Sequence, residues 1–211
     1  MAAVDRPARS DNGRRDLMDI AIDCFARYGY QATSIDRIAK AAGLTKGAIY
    51  YHFKDKEELL FEAVKKRVTQ FERRIIRDIE SIHDAAAALQ RVAEVCIEHA
   101  TKSNHRRLIV TLMVEALDTN ARLSAQFREM MRRFRAYLRG IIEVGQRQGV
   151  FRADVNAITA AGVYAGAVMG AEIEYYQDPE HVDLGTHLRT FLEQYLAWLA
   201  APRRRARRIS A

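Results

Sequence analysis

Apolar side chains along this chain recur with the period of a helix, not of a strand. From Arg14 to Tyr28 they fall at Leu17, Ile20, Ala21, Cys24, Phe25 and Tyr28, in steps of three or one that gather on one helical face. Gly29 ends that stretch, because glycine readily takes the left-handed backbone that closes helices. The next segment, TSIDRIAKAAG, offers Thr33 or Ser34 as an N-cap. It places Ile35, Ile38, Ala39 and Ala42 on one face before Gly43 stops it. Leu44 and a fresh cap, Thr45, introduce KGAIYYHF. The reading is two short helices about a tight turn, with small Ala39 and Ala42 allowing close approach, which is the geometry of a helix-turn-helix.

A long helix is expected from Asp55, with Leu59, Leu60, Val64, Val68, Phe71, Ile75, Ile79 and Ile82 on its apolar face. At 1.5 Å per residue it spans about 40 Å. Further helices are expected over Asp84–Ala100 and Arg106–Leu117, and from a cap at Asp118 or Thr119 to Gly149. Two more run from Asp154 or Asn156 to about Tyr176, and over Leu184–Ala200, with Pro179 breaking the pattern between them. The fold class is all-α, with about nine helices and no internal repeat.

Composition narrows the setting. Among 211 residues, 34 Lys and Arg against 27 Asp and Glu give a net charge of +7. Five of those charges are Arg203, Arg204, Arg205, Arg207 and Arg208, which leaves +2 for the rest. The body is therefore close to neutral, and the tail reads as a solvated run or an extra attraction for phosphates. The first sixteen residues alternate Arg and Asp with few large apolar groups and read as disordered. Two cysteines make no disulfide framework or zinc motif, and no signal peptide or eighteen-residue apolar run occurs. A reducing cytoplasm is the expected location, with no membrane partner. No nucleophile elbow, phosphate loop, dinucleotide fingerprint or His-Glu-x-x-His is present. Asp178, Glu180, His181 and Asp183 read as a solvated loop, not as an ion site. No catalytic residue, metal ligand or cofactor is assigned.

Function is carried by one contiguous stretch, TSIDRIAKAAGLTKGAIYYHFKDKEELL at 33–60. Its Thr33, Ile38-Ala39, Ala42-Gly43, Leu44, Thr45, Lys46-Gly47, Ile49-Tyr50, His52-Phe53, Lys56 and Leu59 resemble, without departure, the DNA-binding signature of the TetR family of bacterial transcriptional regulators. The resemblance implies a three-helix DNA-binding domain at 14–60, with its helix-turn-helix at 34–53, preceded by an arm at 1–13. It also implies a helical effector-binding and dimerisation domain at 61–201, before the tail at 202–211. The expected function is a repressor that binds a palindromic operator as a homodimer and is released by a small, mostly apolar effector. A DNA-binding architectural or division factor on the same fold is the alternative.

Residue chemistry assigns the roles. Thr45, Lys46, Gly47 and Ala48 open the recognition helix, where such proteins touch base edges. Lys46 suits guanine acceptors, Ala48 a thymine methyl, and Gly47 a close backbone approach. Tyr50, Tyr51, His52 and Lys56 are donors suited to phosphate oxygens, and Thr33 and Ser34 are counted with them. Gly162, Gly166 and Gly170, at steps of four, cost about 1 kcal/mol each inside a helix. Close helix approach compensates, either within the chain or between subunits, and Phe191, Tyr195 and Trp198 supply packing bulk. Met113, Phe127, Met130, Met131, Phe134, Tyr137, Tyr164 and Met169 form the candidate effector set, since methionine fits irregular cavities. His99, Arg106, Glu115, Glu172 and Tyr175 are candidates for an effector's polar end.

Overall fold

Helices α1 (Pro7–Tyr28), α2 (Ile35–Ala42), α3 (Lys46–His52), α4 (Lys56–Ile79), α5 (Ala85–Lys102), α6 (Asn104–Thr119), α7 (Ala121–Arg147), α8 (Ala157–Gln177) and α9 (Leu184–Leu199) follow one another along the chain. They are seen in a computed structural model that describes residues 7–202. The Arg-rich stretch 203–211 lies outside the described residues, as does the start of the N-terminal arm.

Helix α1 begins at Pro7, well before the expected Arg14, so residues 7–13 are not the disordered arm anticipated for them. Proline fits a first helical position, because the N–H it lacks would have no partner there. Asn120, not Asp118 or Thr119, caps α7 by accepting from Leu123 N at 2.9 Å. Asn156 caps α8 through two backbone N–H groups, and Asp183 caps α9 at Thr186 N.

The chain divides into two compact units that interleave in sequence. One holds residues up to 74 together with 99–128; the other holds 75–98 and everything from 129 onward. The first unit has a core of Leu17, Ile22, Phe25, Ile38, Ile49, Phe53, Leu59 and Leu60, all within 1% of full burial. In it, α1 packs on both α2 and α6, and α2 packs on α3. Cys24 lies buried on the apolar face of α1.

In the second unit α8 packs on α9. Tyr164, fully buried, donates its hydroxyl to Leu89 O at 2.7 Å, and Tyr195 donates to Ala160 O at 2.8 Å. The Tyr164 ring meets Phe191 and Tyr195 edge-on at 5.8 and 5.5 Å. After α7 the chain turns through Gly149, whose φ of 72° is left-handed, and tucks Phe151 against Gly145. Arg189 forks onto Glu94 at 2.8 and 2.9 Å, tying α9 to α5.

Candidate nucleic-acid interface

Helices α2 and α3 are fixed by local chemistry. The Ser34 hydroxyl accepts from Arg37 N at 3.2 Å to open α2. Gly43 closes it at φ 64°, and Leu44 N returns to Ala39 O at 2.9 Å. The Thr45 hydroxyl then accepts from Ala48 N at 3.2 Å to start α3. Buried Ile49, with Phe53 just beyond the helix, anchors one face. The opposite face keeps Thr45, Lys46 and Gly47 exposed, with Tyr50 53% and Tyr51 82% accessible. A helix that buries one isoleucine and leaves two tyrosines in solvent has a surface still to be covered. The His52 ring is half-buried and meets Tyr51 edge-on at 5.0 Å. Ala48 is half-buried and Ser34 is exposed.

Two expected contacts are redirected by packing. Thr33 is fully buried, and its hydroxyl donates back to Gly29 O at 2.7 Å, with Cys24 O at 3.3 Å. It braces the end of α1 instead of facing a phosphate. The Lys56 amine donates to Tyr30 O at 3.0 Å and sits 4.3 Å from the Tyr30 ring, so it ties the start of α4 to the loop after α1. The structure also supplies a contact that sequence reading did not anticipate. Asp36 of α2 holds the Lys46 amine at 2.7 Å. Both side chains are more than half exposed, so the pair is worth little and Lys46 can exchange its carboxylate for another acceptor.

The family profile described as "Bacterial regulatory proteins, tetR family" matches residues 17–63, and "Tetracyclin repressor-like, C-terminal domain" matches 86–167. The chain belongs to the TetR family. Its relatives include the HTH-type transcriptional repressor KstR2 of Rhodococcus jostii, 28% identical over 192 residues, covering 90% of this chain and 93% of the relative. The fatty acid metabolism regulator protein of Bacillus subtilis is 27% identical over 179 residues, covering 84% and 90%. Among solved structures, the regulator FadR from Bacillus subtilis in complex with stearoyl-CoA superposes with a TM-score of 0.76. It has 23% identity and covers 88% of this chain and 98% of that one. As a TetR-family member, this protein is a helix-turn-helix transcriptional regulator, in a family of regulators and not of enzymes.

The remaining candidates of this TetR-family chain fall in both units. Phe127 and Met130 are buried, and Met113, Met131, Phe134, Tyr137 and Met169 are half-buried. Met113 and Phe127 belong to the first unit and the others to the second. Tyr164 is a core residue whose hydroxyl braces α5. The clefts described in the first unit are lined by none of these eight. Glu115 is exposed and accepts from the Thr119 hydroxyl, whereas Glu172 is fully buried and Tyr175 half-buried. Of the interface candidates, Tyr195 is buried within its own chain, Phe191 is half-buried and Trp198 is 43% exposed. A Cβ built on Gly162, Gly166 or Gly170 meets nothing within 4 Å. Helix packing among the described residues therefore gives no reason for these glycines. The outer face of α8 also exposes Ile158 at 65% and Val163 at 49%.

Proposed function

We propose that this TetR-family protein binds a palindromic operator as a homodimer, placing the leading end of each α3 in a major groove. The observation that carries the reading is the two-sided character of α3, anchored by Ile49 and open at Thr45, Lys46, Gly47, Tyr50 and Tyr51. Lys46, Gly47 and Ala48 face base edges, while Tyr50, Tyr51 and His52 hold the flanking phosphates. Half-sites about 34–36 Å apart then need a second copy. The glycine face of α8, together with Ile158, Val163 and Trp198, is the surface for that copy, because among the described residues nothing occupies the space beside its missing Cβ atoms. Release by a small, mostly apolar effector completes the cycle. Gln126 on α7 supports such a ligand, since its buried amide O and N have no hydrogen-bond partner. A polar group left unpaired costs roughly 1–3 kcal/mol, which a ligand would recover. The Bacillus subtilis structure holds stearoyl-CoA, so an acyl thioester is the first effector class to try.

The test selects bound duplexes from a random library with the full chain and measures mass by sedimentation. A palindrome and a dimer are expected. Gly166→Leu should yield a folded monomer with operator affinity reduced at least tenfold. A wild-type monomer at micromolar concentration, or a selected site without dyad symmetry, overturns the reading.

A further inference from the structure

Between Asp23 and Asp55 the sequence has one carboxylate, Asp36, among Arg27, Arg37, Lys40, Lys46 and Lys54. A negative charge on a face offered to a polyanion weakens attraction to every phosphate near it. A first-turn acid suits the dipole of α2, but Ser34 already caps that turn, and the dipole does not call for a lysine from the next helix. Stability does not explain the pair with Lys46 either, since both side chains are more than half exposed. The ordinary partner for an acid on a helix lies one turn on, here Lys40. The Asp36 carboxylate instead reaches across the turn to the Lys46 amine at 2.7 Å. Its neighbour Arg37 is engaged elsewhere, donating to Ala32 O at 3.3 Å and lying 4.4 Å over the Tyr28 ring.

This arrangement turns a flexible cation into a directed one. Gly43 and the bond from Leu44 N to Ala39 O at 2.9 Å fix the turn, and the Thr45 cap fixes the start of α3. Both ends of the ion pair are therefore carried on well-held backbone. A lysine ammonium has three N–H donors on a long rotatable stem and by itself prefers no particular acceptor. With one donor on Asp36, two remain, which matches the O6 and N7 acceptors of one guanine. A phosphate oxygen that approaches the same amine also meets the Asp36 carboxylate, like charge on like, whereas a guanine edge carries no net charge. Specificity is a difference of affinities, so weakening the wrong complex raises it as surely as strengthening the right one.

We propose that Asp36 is a specificity-determining residue: its carboxylate holds one N–H of Lys46, aims the other two at a guanine, and repels the phosphates on which Lys46 would otherwise settle. The inference rests on the reading of α3 as the groove-binding helix.

The experiment measures fluorescence anisotropy of the full chain on its selected operator, on that operator with each base pair replaced in turn, and on a scrambled duplex, over a series of salt concentrations. Wild type should favour guanine at one position of each half-site by about tenfold. Asp36→Asn should cut that preference to about twofold and leave the other positions unchanged. It should also bind the scrambled duplex about threefold tighter, with a salt dependence steeper by roughly one ion per subunit. Asp36→Glu, which keeps the charge, should behave as wild type. Lys46→Gln should lose the same guanine preference, and adding Asp36→Asn to it should remove nothing more. Asp36 and Lys46 are exposed, so these changes leave the core untouched. A guanine preference that Asp36→Asn leaves intact, or a loss spread evenly over all positions, overturns the inference while the reading of α3 stands. A selected operator bound equally well at every position by Lys46→Gln overturns the inference together with the assignment of Lys46 to a base edge.

Discussion

Thr45 separates the stability of the recognition helix from its contact with DNA. Its hydroxyl accepts from Ala48 N at 3.2 Å, and α3 is seven residues long. One cap is therefore a large part of what holds its first turn. Removing an exposed threonine cap costs about 1 kcal/mol. For a chain of this size that lowers the melting temperature by about 2–4 °C. Thr45→Ala should show this loss in urea and thermal unfolding, and Thr45→Ser should not. Thr45→Asp should keep wild-type stability, because aspartate caps as well as threonine and suits the positive end of the helix. On the operator the order changes. Thr45→Ser should bind like wild type and Thr45→Ala a few-fold weaker. Thr45→Asp should lose at least tenfold, because it brings a negative charge against phosphates. Unfolding curves and a gel-shift titration at fixed salt suffice. A Thr45→Asp protein that melts with Thr45→Ala, or binds with Thr45→Ser, refutes the reading of this residue as both helix cap and close neighbour of the duplex.

Three other perturbations have defined outcomes. Burial and the positive fields of Arg106, Arg74, His105 and Arg67 hold His99 neutral down to about pH 3 in the folded chain, whereas an unfolded histidine takes a proton near 6.5. The unfolded state binds more protons between those values, so stability contributed by this site is full above pH 6.5 and falls as pH drops, by roughly 2 kcal/mol at pH 5. Urea unfolding at pH 7.5 and pH 5 should show that dependence reduced in His99→Phe, which keeps the stack on Phe71; equal slopes in the two proteins contradict it. At Gly145 an added Cβ would overlap the buried Phe151 ring, so Gly145→Ala should destabilise by about 1–3 kcal/mol in thermal unfolding. Tyr164→Phe removes the donor to buried Leu89 O and should cost about 1–2 kcal/mol without changing operator affinity.

Much of the fold was legible because helix signals are local. The run of apolar positions from Leu17 to Phe25, the stop at Gly43 and the cap at Thr45 each depend on neighbours within a few residues. Helix α1 was cut short at Arg14 because polar residues 8–16 offer no apolar period, although nothing in them forbids a helix after Pro7. The glycine ladder of α8 was visible as a cost, but only coordinates show that among the described residues no atom meets a Cβ placed there.

Sequence by itself determined the family, the helix-turn-helix and the face of α3 that points outward, since these follow from periodicity and a dense motif. Tertiary structure alone decided that Thr33 turns inward to Gly29 and that Lys56 is held by Tyr30, 26 positions away. It also decided that Arg67, Phe71 and His99 share a cleft. Periodicity records which side of a helix is apolar. It carries no information about which distant backbone oxygen or ring a polar side chain meets once the helices pack.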